Sequence, residues 1–338
     1  MGALCLLQSS SQPCPSSCLP SCLAGRQAHL LPMRLATQRS RIAALLVLLL
    51  AALASSAPVW AQIVVHSDEN LAPARPEAWA MNYVAASSLM TAFGATPALP
   101  VWGWGVAVDA GYIPRLSDAQ QRVGLHGIKF EDLNRSPVFG RLRLMLGLPG
   151  DFVAEVGYTP PLSIAGTQPL DLFAYSIGRR LYDSEAFSFS MQLFGQHGRA
   201  QGDVTCPANI AGNPDREQNP FGCQAPSNDH ITLNYYGVEA TSAWSAESWH
   251  AHASVGVVRT QFAVQVDAFT FNVHDRSYLV AHDSLPFYTI GASHDLDAQW
   301  TLGAELLYVP LRVQRQIDGP TENDSLTSLR LQLLYRFN

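Results

Sequence analysis

Apolar side chains recur at every second position of residues 329–337: Leu329, Leu331, Leu333, Tyr335 and Phe337 alternate with Arg330, Gln332 and Arg336, and Leu334 is the one interruption. A period of two marks an extended strand with one apolar and one polar face. The pattern returns along the chain. Trp104, Val106, Val108, Ala110 and Tyr112 alternate with Gly105, Ala107, Asp109 and Gly111, and Leu142, Leu144 and Leu146 with Arg141, Arg143 and Met145. Residues 154–158, 187–193, 249–257 and 300–308 alternate in the same way, and 172–180, 232–243 and 287–294 do so less cleanly. The reading is ten antiparallel strands.

The connections narrow the choice of sheet. Tight turns are expected at 148–151, 182–185, 245–248 and 295–297. Between them lie longer polar stretches at 114–137, 163–169, 198–228, 260–285 and 314–324. Short and long connections that alternate along an even number of strands are the signature of a transmembrane up-and-down β-barrel, short turns on the periplasmic side and long loops outside. A twelve-stranded variant stays open, because residues 262–273 also alternate. Trp102, Trp104, Trp244, Trp249 and Trp300 fall at the short-turn ends of the strands, and Tyr112, Tyr158, Tyr288 and Tyr308 toward the other ends. Amphipathic rings gather in this way at the two interfaces of a bilayer, whereas a secreted β-sandwich has no reason to collect tryptophan at one end.

On these residues the chain resembles the bacterial outer-membrane β-barrels over 101–338. The resemblance implies residence in the outer membrane, contact with its lipid and lipopolysaccharide, and assembly by machinery that reads an aromatic end. Here Phe337 stands one residue before the end, with Asn338 after it. Long loops outside and both termini in the periplasm complete the expected topology.

Residues 42–54 read IAALLVLLLAALA, preceded by Arg34, Arg39 and Arg41 and followed by Val59, Trp60 and Ala61. That is a basic start, an apolar stretch and small residues before the break, as in a secretory signal; a membrane-spanning helix needs about 20 apolar residues. The expected organisation is a leader at 1–32 ahead of a true start at Met33, a signal peptide at 33–61, a periplasmic segment at 62–100 and the barrel at 101–338. Within the segment, residues 76–94 form a short helix with Trp79, Tyr83, Met90 and Phe93 on one broad face, which plugs the periplasmic mouth or packs beside it. Beyond residue 61 only Cys206 and Cys223 remain. In an exported protein they read as a disulfide within one polar loop, worth about 3 kcal/mol.

Composition changes the picture little. The chain is 48% hydrophobic and only 14% charged with a net charge of −6, which argues against disorder and a nucleic-acid partner. If the apolar positions face lipid, the lumen receives Asp109, Arg141, Arg143, Glu155, Glu239, His250, His252, Glu305, Arg330 and Arg336. Register counted from the turns sets Arg141 and Arg143 near Glu155, Glu239 near His250 and His252, and Arg330 between Glu305 and Asp109. Such charges either pair and hold a narrow barrel shut or form a constriction that selects small solutes. A polar lumen argues against a fatty-acid channel, which needs an apolar passage.

Enzyme readings are weaker. His252-Ala253-Ser254 repeats the His-x-Ser arrangement of the outer-membrane phospholipase family, but close to a short turn and on the lumen face. The omptin proteases, also ten-stranded, carry acid pairs and an Asp-x-His element near the external rim. Here Asp229-His230, His274-Asp275 and His282-Asp283 are adjacent in sequence, so their side chains leave a strand on opposite faces. No catalytic residue, cofactor or metal set is expected; the acids at 215–217 and 321–324 lack EF-hand spacing. The expected function is a small, largely plugged channel or transporter for small solutes. A barrel that acts through its disulfide-bearing external loop is the alternative.

Overall fold

The structure is a computed structural model and describes residues 63–337. The expected leader and signal peptide lie outside the described residues. Ten strands form the wall: β1 Trp104–Tyr112, β2 Val138–Leu148, β3 Phe152–Thr159, β4 Leu172–Asp183, β5 Phe187–His197, β6 Asp229–Ala246, β7 Trp249–Gln265, β8 Tyr278–Asp295, β9 Trp300–Val309 and β10 Leu326–Arg336. Each pairs antiparallel with its neighbour in sequence, and β10 closes on β1 from Arg330 opposite Gly111 to Arg336 opposite Gly105. Closure removes free sheet edges wherever the strands pair on both sides.

The alternation resolves as expected into two faces. Val106, Val108, Leu142, Leu144, Leu329 and Leu331 are exposed on the outside, while Ala107, Arg141, Arg143, Arg330 and Gln332 are buried inside. Trp102, Trp104, Trp244, Trp249 and Trp300 are all exposed at the short-turn end. Trp104 stacks on Phe337 at 3.7 Å, which places the penultimate residue in the aromatic ring at that end. Tyr288 and Tyr308 sit opposite each other on β8 and β9.

The wall is uneven. β6, β7 and β8 run for 18, 17 and 18 residues, whereas β3 has only 8. A tilted strand crosses a bilayer with about 9–11 residues, so the three long strands stand well above the rest. One expectation is corrected by this, and one open alternative is closed. The stretch 260–285 is not one long loop: β7 continues to Gln265 and β8 begins at Tyr278, with a small hairpin of Ala268–Thr270 and Val273–Asp275 between them. The same continuation absorbs the alternation at 262–273, and the barrel has ten strands rather than twelve. The Cys206–Cys223 disulfide forms as expected, and Cys223 also bridges to Thr270, which joins the loop after β5 to that hairpin.

The N-terminal segment departs furthest from expectation. Asp68–Leu71 pairs in parallel with Tyr278–Ala281, the long-loop end of β8, and Ile63–Val65 pairs with Val273–Asp275. The described chain therefore starts at the long-loop end, opposite the end where β10 stops. The two termini of the described chain do not share a side. Helix α1, Pro76–Ser87, follows with proline in its first turn, and all its residues except Val84 are buried. It sits in the long-loop mouth, not the short-turn one: Trp79 Nε1 donates to the Asp324 carbonyl, Asn82 Nδ2 to Asp283 Oδ2 and Tyr83 Oη to the Pro114 carbonyl, each at 2.9 Å. Met90 and Phe93, expected on the same helix, belong to an irregular stretch that descends through the lumen to β1.

Outside the wall, Lys129 Nζ donates to Glu131 Oε1 at 2.8 Å and to the Thr205 carbonyl at 2.5 Å, tying the loop after β1 to the disulfide loop. Burial pushes the Glu131 carboxyl up to about 8 against the pull of Lys129, with Asp229 and Glu77 adding to the rise. Its ordinary value is 4.5, so between these values the folded loop binds more protons than the unfolded one and loses stability as pH rises. Limited proteolysis should therefore cut residues 114–137 faster at about pH 8 than at about pH 5, and Glu131→Gln should flatten that dependence.

Candidate functional site: the occupied lumen

A chain that descends through a barrel brings backbone N–H and C=O groups into a space with little water, and each needs a partner. The inward positions of the strands supply them. Arg330, on β10, donates from Nη1 to the Leu89 carbonyl at 2.5 Å and from Nη2 to those of Ala86 and Ser87 at 3.0 and 3.4 Å. These are carbonyls at the end of α1, where a helix leaves acceptors unsatisfied and favours a cation. Arg141, on β2, donates to the Ser88 carbonyl at 2.8 Å and to Gln196 Oε1 at 2.6 Å. Arg143, two residues on, reaches the Thr91 carbonyl at 3.1 Å.

The acidic residues hold the same segment from the other side. Glu305 accepts from the Thr91 hydroxyl, and Glu239 Oε2 accepts from the Ala92 amide at 3.1 Å and from Gln192 Nε2 at 2.7 Å. Tyr235 takes the Met90 amide at 2.9 Å and donates to the Ser88 carbonyl at 3.0 Å. Lower down, Ser190 Oγ accepts from the Thr96 amide at 3.1 Å and Arg180 Nη2 donates to its carbonyl at 2.6 Å. Phe93 and Gly94 take positive φ, turning the chain between these anchor points.

Each lumen residue expected from the sequence can now be placed. Arg141, Arg143, Glu155, Glu239, His252, Glu305 and Arg330 are buried inside the wall. Arg143 pairs with Glu155 at 2.5 Å and with Asp109 at 3.1 Å, and Ser176 donates to the same Glu155 oxygen. The other expected pairings give way to the inserted chain. Arg330 stands opposite Glu305 in register as expected but bonds helix carbonyls, Arg141 bonds Ser88 and Gln196, and Glu239 bonds Ala92 and Gln192. His252 faces Glu305 at 3.6 Å. His250 and Arg336 lie at the short-turn mouth, both bound to Asp295, at 2.9 and 3.0 Å.

Sequence reasoning missed Gln192, Gln196 and Tyr235, although each occupies an inward position of its strand. It also missed residues 86–96, whose backbone rather than side chains engages the arginines. The His252 and Ser254 pair stays a wall feature: Ser254 bonds Thr241 at 2.9 Å, and neither ring nitrogen of His252 has a hydrogen-bond partner among the described residues.

Comparison with known proteins adds distant likenesses only. No family model matches the chain, and no curated protein matches it. Solved structures that resemble it include the translocator domain of the autotransporter NalP from Neisseria meningitidis, at 8% identity and a TM-score of 0.36, covering 72% of this chain and 91% of that one. The COG4313 outer membrane channel from Pseudomonas putida F1 resembles it at 10% identity and a TM-score of 0.36, covering 72% and 98%. The outer membrane protease OmpT from Escherichia coli does so at 8% and 0.30, covering 70% and 94%. The architecture, a closed antiparallel barrel of ten strands, stands on its own strand pairing.

Removing Arg143 should leave the buried Glu155 and the half-buried Asp109 without their cation, a loss of about 3–5 kcal/mol for breaking a buried pair. The denaturant midpoint of the refolded barrel should fall accordingly in Arg143→Met. It should recover in large part in the triple variant with Asp109→Asn and Glu155→Gln, which removes the stranded charges.

Proposed function

We propose that this is an outer-membrane barrel that passes small solutes through a gated lumen, closed at rest by its own N-terminal segment. The outward apolar face between aromatic rings suits a bilayer, with lipopolysaccharide against the upper strands and the short turns in the periplasm. The β10 end with Phe337 is then the part offered to the assembly machinery. In that orientation α1 fills the outer mouth and residues 88–96 fill the charged zone beneath it.

The observation that carries the reading is the incomplete bonding of that zone. Buried nitrogen or oxygen atoms of Arg141, Arg143, Glu239, His252, Glu305 and Arg330 have no hydrogen-bond partner among the described residues. Buried polar atoms of this kind are ordinarily completed by water, which suits a narrow axis that holds it. Donors and acceptors left over along a narrow axis suit a path for water and small polar solutes once the segment moves.

A second reading has its own observation. The tall wall of β6–β8 carries the disulfide loop and the hairpin joined to it through Cys223 and Thr270, a rigid platform above the rim that suits contact with another surface. Conductance separates the two. In a planar bilayer the refolded barrel should stay mostly closed with rare stepwise openings, and Arg330→Ala, which strips donors from three carbonyls of the segment, should open it more often. Silence of both proteins, with the variant still folded by heat-modifiable migration, would favour the platform.

A further inference from the structure

The wall has a gap. β2 pairs with β3 only from Leu142, opposite Tyr158, downward. β3 ends at Thr159, and the chain then crosses over to pair as Thr167–Pro169 with Arg199–Gly202, away from β2. Val138 to Arg141 therefore have a strand neighbour on the β1 side alone, from Tyr112 opposite Val138 to Asp109 opposite Arg141. The gap lies beside Tyr112 and Tyr158, at the level of the upper tyrosines.

A cavity of about 410 Å³ runs through this gap. Outward Val138 and Leu142 line it together with inward Phe139 and Arg141, so it connects the outer apolar face with the lumen. Tyr83 and Val84 of α1 close its inner side, Ile231 and Leu233 of β6 its far wall. Leu162 and Ile164, both exposed, form the lip. An axial path for polar solutes has no use for an apolar side exit of this kind, whereas a hydrocarbon chain does.

The cavity also has a polar end. Arg141 is 3% exposed and Thr159 4% exposed, and Arg141 Nε and Thr159 Oγ1 have no hydrogen-bond partner among the described residues. The arginine lies across Gly157, where an added Cβ would come within 2.7 Å of its Cδ, so the absence of a side chain at 157 makes room for it. It forms no ion pair among the described residues, while Asp109, which also lines the cavity, is already engaged by Arg143 and Gln332 at 3.1 and 2.9 Å. One unpaired guanidinium N–H and one hydroxyl offer two donors, the complement of a carboxylate.

We propose that this gap is a lateral binding site for a long-chain fatty acid, its carboxylate held by Arg141 and Thr159 and its tail extending between β2 and the residue 160–164 loop into the outer leaflet. The proposal goes beyond the axial-passage reading, which concerns small polar solutes, and stands on the side cavity itself. A single acyl chain fits the narrow gap and the one cationic end. The polar axis excludes such a molecule from passing straight down the barrel, and the side opening supplies the apolar route that the axis lacks.

The test is equilibrium binding of the fluorescent fatty acid cis-parinaric acid to the full refolded barrel in an uncharged detergent. Wild type should bind it saturably at one site per barrel, and bind its methyl ester about tenfold more weakly because the charge-assisted bonds are lost. Thr159→Val, which removes a hydroxyl that bonds nothing, should weaken the acid several-fold without shifting the denaturant midpoint. Ala200→Trp, which fills the cavity from its far side, should abolish saturable binding. Purely linear partition into wild type, or equal binding of acid and ester in wild type and Thr159→Val alike, would overturn the site. Conductance recorded on the same preparations is scored separately: saturable binding in a barrel that never conducts supports the site while refuting passage, and conduction without saturable binding refutes the site alone.

Discussion

Backbone amides and carbonyls inside a narrow barrel must be satisfied by the wall, and most of what distinguishes this molecule follows from that constraint. The carbonyls from Ala86 to Thr91 lie where water is scarce, and three arginines on β2 and β10 reach across to them. A guanidinium suits the task because it offers five donors and never loses its charge. The carboxylates of Glu239 and Glu305 take the opposing amide and hydroxyl, so the charges that would otherwise pair across the lumen are turned toward the inserted chain. Only Arg143, which serves both the chain and two acids, keeps the pairing that adjacent strands alone would give it.

The same constraint explains where sequence reading succeeded and where it stopped. Strand number, inside and outside faces, the tryptophan ring and the disulfide were legible because alternation and turn spacing are local and repeat ten times around the wall. Position of the N-terminal segment was not. Helix α1 is buried on nearly every side, so it shows no amphipathic stripe that would point to a neighbour. Its path through the lumen is recorded instead in backbone contacts with Arg141 and Arg330, and a backbone carbonyl leaves no mark in a sequence. Register alone paired those arginines with Glu155, Glu305 and Asp109, a sound inference for an empty barrel.

Uneven strand length links the wall to what it does. β6–β8 rise above the rim and carry the joined loops, while the early end of β3 leaves β2 without a partner over Val138 to Arg141. In a barrel of equal strands the lumen would communicate only with its two mouths. Here α1 blocks one mouth and simultaneously forms the inner wall of the side cavity, through Tyr83 and Val84. Movement of one segment therefore bears on both the axial and the lateral route.

The central claim is that the N-terminal segment enters at the long-loop end and crosses the lumen before the first strand. Single cysteines at His66, beside the long-loop rim, and at Asp151, in a short turn, test it directly with a membrane-impermeant maleimide on intact cells; Cys206 and Cys223, the native cysteines among the described residues, are held in their disulfide. The account predicts that His66→Cys is labelled on intact cells and Asp151→Cys only after the outer membrane is permeabilised. Labelling of both from the same side would contradict it.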